Sequence, residues 1–322
     1  MHSHRAIAAL VLTLGLATAA HAGPYRAPRT ADGQPDLQGL WTNLSMTVME
    51  RRPDTPLTFA TKAEDAAYEQ RMAEAWTATE TGGLGMGVSE WHGYNPMARI
   101  DGRLRTSWIV SPADGRLPWR PEARQRFQGL IAAMSADGAV GPEARTPSDR
   151  CLMGGLASAG PPFNNPPVAA GKQIVQTGGA VAILSEMNHD VRIVRLGGRH
   201  PLPGVRQWMG DSIGHWEGET LVVETTNFHP QETLHAVFLL SPDAHVIERF
   251  TRVSPSELRY VFEVDDPTFY TAPWRGEMPF VADLGPIYEF ACHEGNYSMR
   301  GILGAARKMD ADTTALAKSG AP

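Results

Sequence analysis

From residue 171 onward the chain reads as strand after strand, and this constrains its fold more than any other feature. Segments 173–176, 180–194, 220–226, 245–253, 258–265 and 287–293 are rich in β-branched and aromatic residues and are bounded by turn-forming ones, the pattern of half-buried strands. Glu217-Gly218 stands between Trp216 and Leu221-Val222-Val223 as a tight hairpin turn would. Short strands at close spacing cannot bury their apolar faces singly, so they predict an antiparallel sheet curled into a barrel or closed as a sandwich. The expected class is mainly β (α+β), an antiparallel barrel-like or sandwich domain with two N-terminal helices and a short C-terminal helix.

The first half of the chain supplies those helices. Thr61-Lys62-Ala63-Glu64 is a capping box, followed to about Thr79 by residues of high helix propensity. Pro121 opens a second helix that runs to about Ser135 and is closed by Asp137-Gly138. Residues 82–102 and 138–171 are crowded with glycine and proline and carry no period, so they are expected as loops. Before the first helix, the apolar patch around Trp41 is expected to dock as a short strand on an extended arm. The last helix is expected over Arg300–Met309. The expected organisation is a leader at 1–22, an arm with two helices and loops at 23–171, an antiparallel β domain at 172–310 forming one unit with the arm, and a disordered tail at 311–322.

The leader reading rests on Arg5 followed by small and apolar residues over 6–20 and by Ala20-His21-Ala22 before Gly23, the three parts of a secretory signal. It predicts a periplasmic or secreted protein. No later run approaches the ~20 apolar residues of a transmembrane helix, so no integral membrane segment is expected. With Arg5 removed, the 29 basic residues become 28 against 35 acidic, a net charge of −7, which does not suit nucleic acid. In an oxidising compartment Cys151 and Cys292, the only cysteines, are expected as a disulfide rather than a catalytic thiolate.

Chemistry is sought first in 180–194. Taken as one continuous strand, it places Val181, Ile183, Ser185, Met187, His189, Val191 and Ile193 on one face and Leu184, Glu186, Asn188, Asp190 and Arg192 on the other. The charged row is either a solvated face or, in a barrel, an interior lining with functional carboxylates. In 288–297 the same alternation places Glu289 and His293 on one face, opposite Tyr288, Phe290 and Cys292. A carboxylate that orients an imidazole is what general acid–base catalysis uses.

The stretch from Arg199-His200 through Arg206, Trp208, Asp211, His215 and Trp216 mixes tryptophan with charge and is expected either to line a pocket for a flat ligand or to plug the barrel mouth. Gly210-Asp211-Ser212-Ile213-Gly214 matches a nucleophile elbow in letters only, because a strand rather than a helix follows it. His189-Asp190 and His293-Glu294 could ligate a metal, although strand neighbours point apart and no HExxH or cysteine pair occurs. No dinucleotide, phosphate-loop or haem motif is present, so no cofactor is expected.

Pro35-Asp36-Leu37-Gln38-Gly39-Leu40-Trp41, Glu186 with His189-Asp190-Val191-Arg192-Ile193, Arg206-Gln207-Trp208-Met209-Gly210-Asp211-Ser212, the run from Trp216 to Phe228 and Cys292-His293-Glu294-Gly295-Asn296-Tyr297 resemble a family of exported bacterial β-rich proteins. The resemblance spans nearly all of the chain after the leader. It implies a bacterial source and export, and it brings no activity with it.

The function expected from the residues is an exported enzyme, a lyase, isomerase or hydrolase, acting on a small, partly apolar or aromatic molecule. His293 would be the acid or base, oriented by Glu289 or Glu294, with His189 and Asp190 as the second group. Arg206 or Arg192 would steady an anion, and Trp208 and Trp216, with Asp211, would hold the substrate. The alternatives are a non-catalytic periplasmic binder of a small molecule or lipid, a metal-dependent hydrolase using His189, Asp190, His293 and Glu294, and an envelope protein with no pocket.

Overall fold

The computed structural model describes residues 25–81, 95–135, 141–154, 158–166, 168–232, 234–235, 237–283 and 285–319. The expected leader, most of the glycine-rich loop after the first helix and the Asp137-Gly138 turn lie outside them. Nine strands close into a barrel: β1 (Gly39–Thr42), β5 (Gly171–Gln176), β6 (Ala180–Ser185), β7 (Val191–Leu196), β8 (Asp211–Glu217), β9 (Thr220–Thr226), β12 (His245–Ser254), β13 (Glu257–Asp265) and β14 (Trp274–Ala282). Pairing of Trp41 with Ala282 and of Thr42 with Val281 completes the ring. Outside it, β4 (Ile109–Ser111) extends the sheet from β14, while β2 (Arg99–Ile100) with β3 (Arg103–Leu104) and β10 (Leu234–His235) with β11 (Phe238–Leu239) form two small hairpins.

The barrel is mixed rather than purely antiparallel. β7 and β8 run parallel, with Val194 opposite Ser212, because residues 197–210 carry the chain back along the barrel before β8 begins. Nor do the helices form an N-terminal pair. Lys62–Thr81 and Pro121–Ser135 are separated by β2, β3 and β4, and the C-terminal helix, expected to be short, runs from Tyr297 to Ser319 through most of the expected tail. The capping box forms as its residues require, with Thr61 Oγ1 accepting from Glu64 N at 3.2 Å and Glu64 Oε2 accepting from Thr61 N at 2.9 Å. Among the described residues no helix is long and apolar enough to cross a membrane.

Segment 180–194 is two strands, not one. β6 ends at Ser185, the chain turns through Asn188 (φ 62°) and His189 (φ 53°), and β7 pairs back on β6 with Ile183 opposite Arg192. The turn reverses which residues face inward. Val191 and Ile193 are 46% and 49% exposed, whereas Arg192 is 3% exposed and lies inside. Segment 287–293 is not a strand either: it is irregular until the single helical turn Cys292–Gly295.

The interior is packed rather than hollow. Phe250, Leu258, Tyr260, Phe262, Met278 and Phe280 fill it from β12, β13 and β14. The proline-rich segment before β5 inserts Phe163 among them, its ring 5.5–6.4 Å from those of Phe280, Tyr260 and Phe250. Each such ring contributes about 1.5–3 kcal/mol through burial. Gly276 makes room, since a Cβ there would stand 2.2–2.8 Å from the Phe262 ring. An ion pair at the centre is enclosed: Arg192 donates twice to Glu248, at 2.7 and 3.0 Å, and Tyr260 Oη donates to the same carboxylate at 2.7 Å.

Candidate functional site

The end of the barrel where β5 starts, β6 ends and β7 starts gathers an unusual set of titratable side chains. Lys172, the first inward residue of β5 after Gly171, is fully buried. Its ammonium donates to the Ala170 and Gly171 carbonyls at 3.1 and 3.5 Å and stands 5.7 Å from the Phe163 ring. Burial pulls its pKa down to about 7, against the opposing charges of Glu186 and Asp190.

Two carboxylates close the β6–β7 turn. Glu186 accepts from Gly171 N at 3.2 Å and Tyr288 N at 3.3 Å. Asp190 accepts from Gly154 N at 2.5 Å and Asn188 Nδ2 at 3.2 Å. Burial raises the Asp190 pKa although the Gly154 N–H, Asn188, His189 and Lys172 all favour its charged form; desolvation outweighs the donors.

Glu232, on the loop after β9, is a further enclosed carboxyl whose charge couples to that of Asp190. It is 2% exposed, its Oε2 accepts from Met209 N at 2.7 Å, and its Oε1 has no partner. Burial, reinforced by the charge of Asp190, pushes its pKa up to about 8. Ser158 is equally enclosed, with an Oγ that lacks a partner. Gly154 lets Ser158 and Asp190 crowd together: a Cβ on it would lie 2.3 Å from Ser158 Oγ and 3.0 Å from Asp190 Oδ2.

Above this cluster lies a cleft of about 170 Å³ between Asn188-His189 and residues 289–294. The Cys151–Cys292 disulfide, with its Cα atoms 5.8 Å apart, staples its far wall to the loop that carries Gly154. His189 Nε2 accepts from Phe290 N at 2.8 Å, so in the neutral ring the proton sits on Nδ1. His189, Glu289, His293 and Glu294 therefore line one cleft, with His293, Glu289 and Glu294 exposed on its rim. The expected orientation of His293 by Glu289 does not follow, because the alternation that would align them needs an extended backbone. Asp190 points below the cleft to Gly154, away from this rim. Among the described residues no group of three or more His, Cys, Asp or Glu side chains could hold a metal.

The other expected residues lie elsewhere. Asp211 binds Arg195 through two bonds of 2.7 and 2.9 Å and His200 Nδ1 at 2.7 Å; the Arg195 bonds hold its pKa below the usual carboxylate range. Arg206 holds the Pro242 carbonyl and Asp243. Trp208 stacks on His229 with ring centres 4.1 Å apart. Trp216 packs against the core from the opposite end of β8, five residue steps or roughly 16 Å from Asp211. Trp216 thus stands at the other end of β8 from Asp211. Trp274 is core. Ser212 faces the interior and shares a 2.8 Å hydroxyl bond with Thr225, as a strand residue does.

Sequence reasoning missed Lys172, Glu232, Ser158 and Gly154. Lys172 shares inward parity with Ile174 in β5, a signal that was available. No local pattern marks Glu232. Comparison with protein-family models, with curated proteins and with solved structures finds no match to this chain.

Proposed function

We propose that the chain is an exported enzyme whose own side chains move protons to and from a small molecule at this barrel mouth, as a lyase, isomerase or hydrolase does. The observation that carries the reading is the Asp190–Glu232 pair. Glu232 is buried with one oxygen left free, Asp190 is half-buried, their charges couple, and Asp190 couples in turn to the enclosed Lys172. Groups whose pKa values are displaced toward neutrality by burial in a concave site are what general acid–base catalysis requires. With Glu232 titrating at about 8 and Lys172 at about 7, one group can hold a proton while Asp190 accepts one. Ser158 Oγ and the Gly154 N–H are fixed donors beside them. In this reading His189 and His293 shape the entrance, and the acid–base pair stands one layer below them.

The test is turnover of a chemically defined library of small amines, carbonyl compounds and esters in D2O, followed by proton NMR for deuterium uptake or product. Asp190→Asn should lower the rate on any active member by at least ~100-fold, while Glu217→Gln at the far rim should leave it unchanged. Equal rates in the wild type and Asp190→Asn would refute the assignment, and so would an inert library.

A further inference from the structure

We infer that residues 285–291 form a strap beside the barrel mouth that acid unlatches, because the ring that ties it down, His189, can hold it only while neutral. The inference concerns access to the mouth and stands apart from the chemistry proposed there.

The strap is fixed at its ends and lightly held between them. Before it, Asp283 N donates to the Leu40 carbonyl at 2.9 Å; after it, Cys292 is bonded to Cys151. Among the described residues no side chain of 285–291 belongs to the packed core, and Tyr288 is 67% exposed. Two hydrogen bonds among the described residues cross from the strap to the barrel. Tyr288 N donates to Glu186 Oε1 at 3.3 Å, and Phe290 N donates to His189 Nε2 at 2.8 Å. Both acceptors belong to the β6–β7 turn, and both are the ionisable atoms of their side chains.

The shorter bond sets the condition. A neutral imidazole keeps a lone pair on one nitrogen, whereas an imidazolium carries N–H on both. The Phe290 N–H points at Nε2, so a proton there would set two N–H groups against each other at 2.8 Å, and the bond must break. Closure and protonation of His189 therefore exclude one another, and by linkage proton uptake favours the open strap. Histidine is the side chain whose charge changes between pH 5 and 8, so the release falls in that range. The strap and the helical turn after it form one wall of the 170 Å³ cleft. Lifting that wall widens the approach to the β6–β7 turn. A positive His189 also favours the charged form of Asp190, so the proton that frees the strap promotes ionisation of the carboxyl next to it.

Amide exchange with solvent, measured by NMR on the 15N-labelled protein at pH 5.5, 6.5 and 7.5 and corrected for intrinsic rates, tests this together with the imidazole 15N spectrum. At pH 7.5 the His189 ring should carry its proton on Nδ1. Protection of the Phe290 amide should fall by about three- to tenfold between pH 7.5 and 5.5, the worth of one hydrogen bond. Other titratable and charged groups stand around the ring: Glu186 and Asp190 in its own turn, Lys172 in β5, Glu289, His293 and Glu294 along the cleft, and Asp149 and Arg150 on the loop tied by Cys151. The response is therefore read against His189→Gln, whose side chain does not titrate and whose Phe290 protection should not change with pH. His293→Gln should retain the wild-type fall. A proton on Nε2 at pH 7.5, a Phe290 protection in the wild type that is level with pH, or the same fall in His189→Gln would overturn the inference. No substrate enters the measurement, so an inert library would leave the strap standing, and a proton on Nε2 would leave the acid–base reading standing.

Discussion

Replacing Glu232 by Gln should change how the stability of this protein depends on pH, and in a direction opposite to that usual for a carboxylate. Most carboxylates in folded proteins are held charged and add stability above their unfolded pKa. Burial does the reverse to Glu232, raising its pKa from 4.5 to about 8. Between those values the folded protein holds a proton that the unfolded chain has released, so stability falls as pH rises through that window and is level above it. Each unit of displacement is worth 1.36 kcal/mol. A displacement of about 3.5 units therefore corresponds to roughly 3–5 kcal/mol lost between pH 5 and 8.

Gln keeps the shape, can accept the Met209 N–H, and does not titrate. Urea denaturation at pH 5, 6, 7, 8 and 9 should show the variant close to the wild type at pH 5 and more stable by roughly 3–5 kcal/mol at pH 8. Lys172 acts with the opposite sign. Its folded pKa of about 7 lies below its ordinary 10.5, so the fold gains stability as pH rises from 7 to 10.5. That contribution is common to both proteins and cancels in the difference. Curves that stay parallel to within about 1 kcal/mol across the range would show that Glu232 is ionised in the fold, and the acid–base reading would lose its proton donor.

Three further outcomes follow from the same geometry. Glu248→Gln should lower stability by about 3–5 kcal/mol in urea titrations, because it leaves the Arg192 guanidinium enclosed without its counter-charge; the apolar double replacement Arg192→Met with Glu248→Leu should recover most of that. Gly154→Ala places a methyl against Ser158 Oγ and Asp190 Oδ2; it should lower stability by about 1–3 kcal/mol in urea titrations, and an unchanged midpoint would show that the two side chains move aside freely. Cys151→Ser should remove up to about 4–5 kcal/mol, since the bond closes a loop of 141 residues; a melting temperature unmoved by the substitution would show that the unfolded chain is not appreciably constrained by it.

How far the fold and the site could be read in the sequence depended on whether the deciding interaction was local. The strands over 173–176, 220–226, 245–253 and 258–265, the Thr61–Glu64 capping box, the docking of the Trp41 segment and the pairing of the only two cysteines are short-range or compositional, and all appear in the structure. The β6–β7 turn was hidden because Asn188 and His189 take left-handed conformations without a glycine or proline to announce them. That turn alone exchanged the faces of Val191, Arg192 and Ile193. An arginine alternating with valine and isoleucine beyond a polar Glu-Met-Asn-His-Asp stretch is consistent with such a reversal, since inside a barrel an arginine needs only one facing carboxylate, and Glu248 supplies it from 56 positions away.

The course of residues 197–210, which makes β8 parallel to β7, and the breakdown of regular structure before Cys292 depend on where the rest of the chain is packed. The site behaves in the same way. His189, Glu289, His293 and Glu294 were recognisable as polar residues beside a staple and do share a cleft. The more strongly displaced group, Glu232, has its proton affinity set first by burial and then by the Met209 N–H and the charge of Asp190. A glutamate after His229-Pro230 in a surface-looking loop carries no mark of that. Lys172 did carry one, because a lysine in register with Ile174 on the inward face of a strand must either be paired or be deprotonated with ease. In this barrel it is unpaired among the described residues, bonded only to backbone carbonyls, and that makes proton exchange with the neighbouring carboxyls the physical consequence to test first.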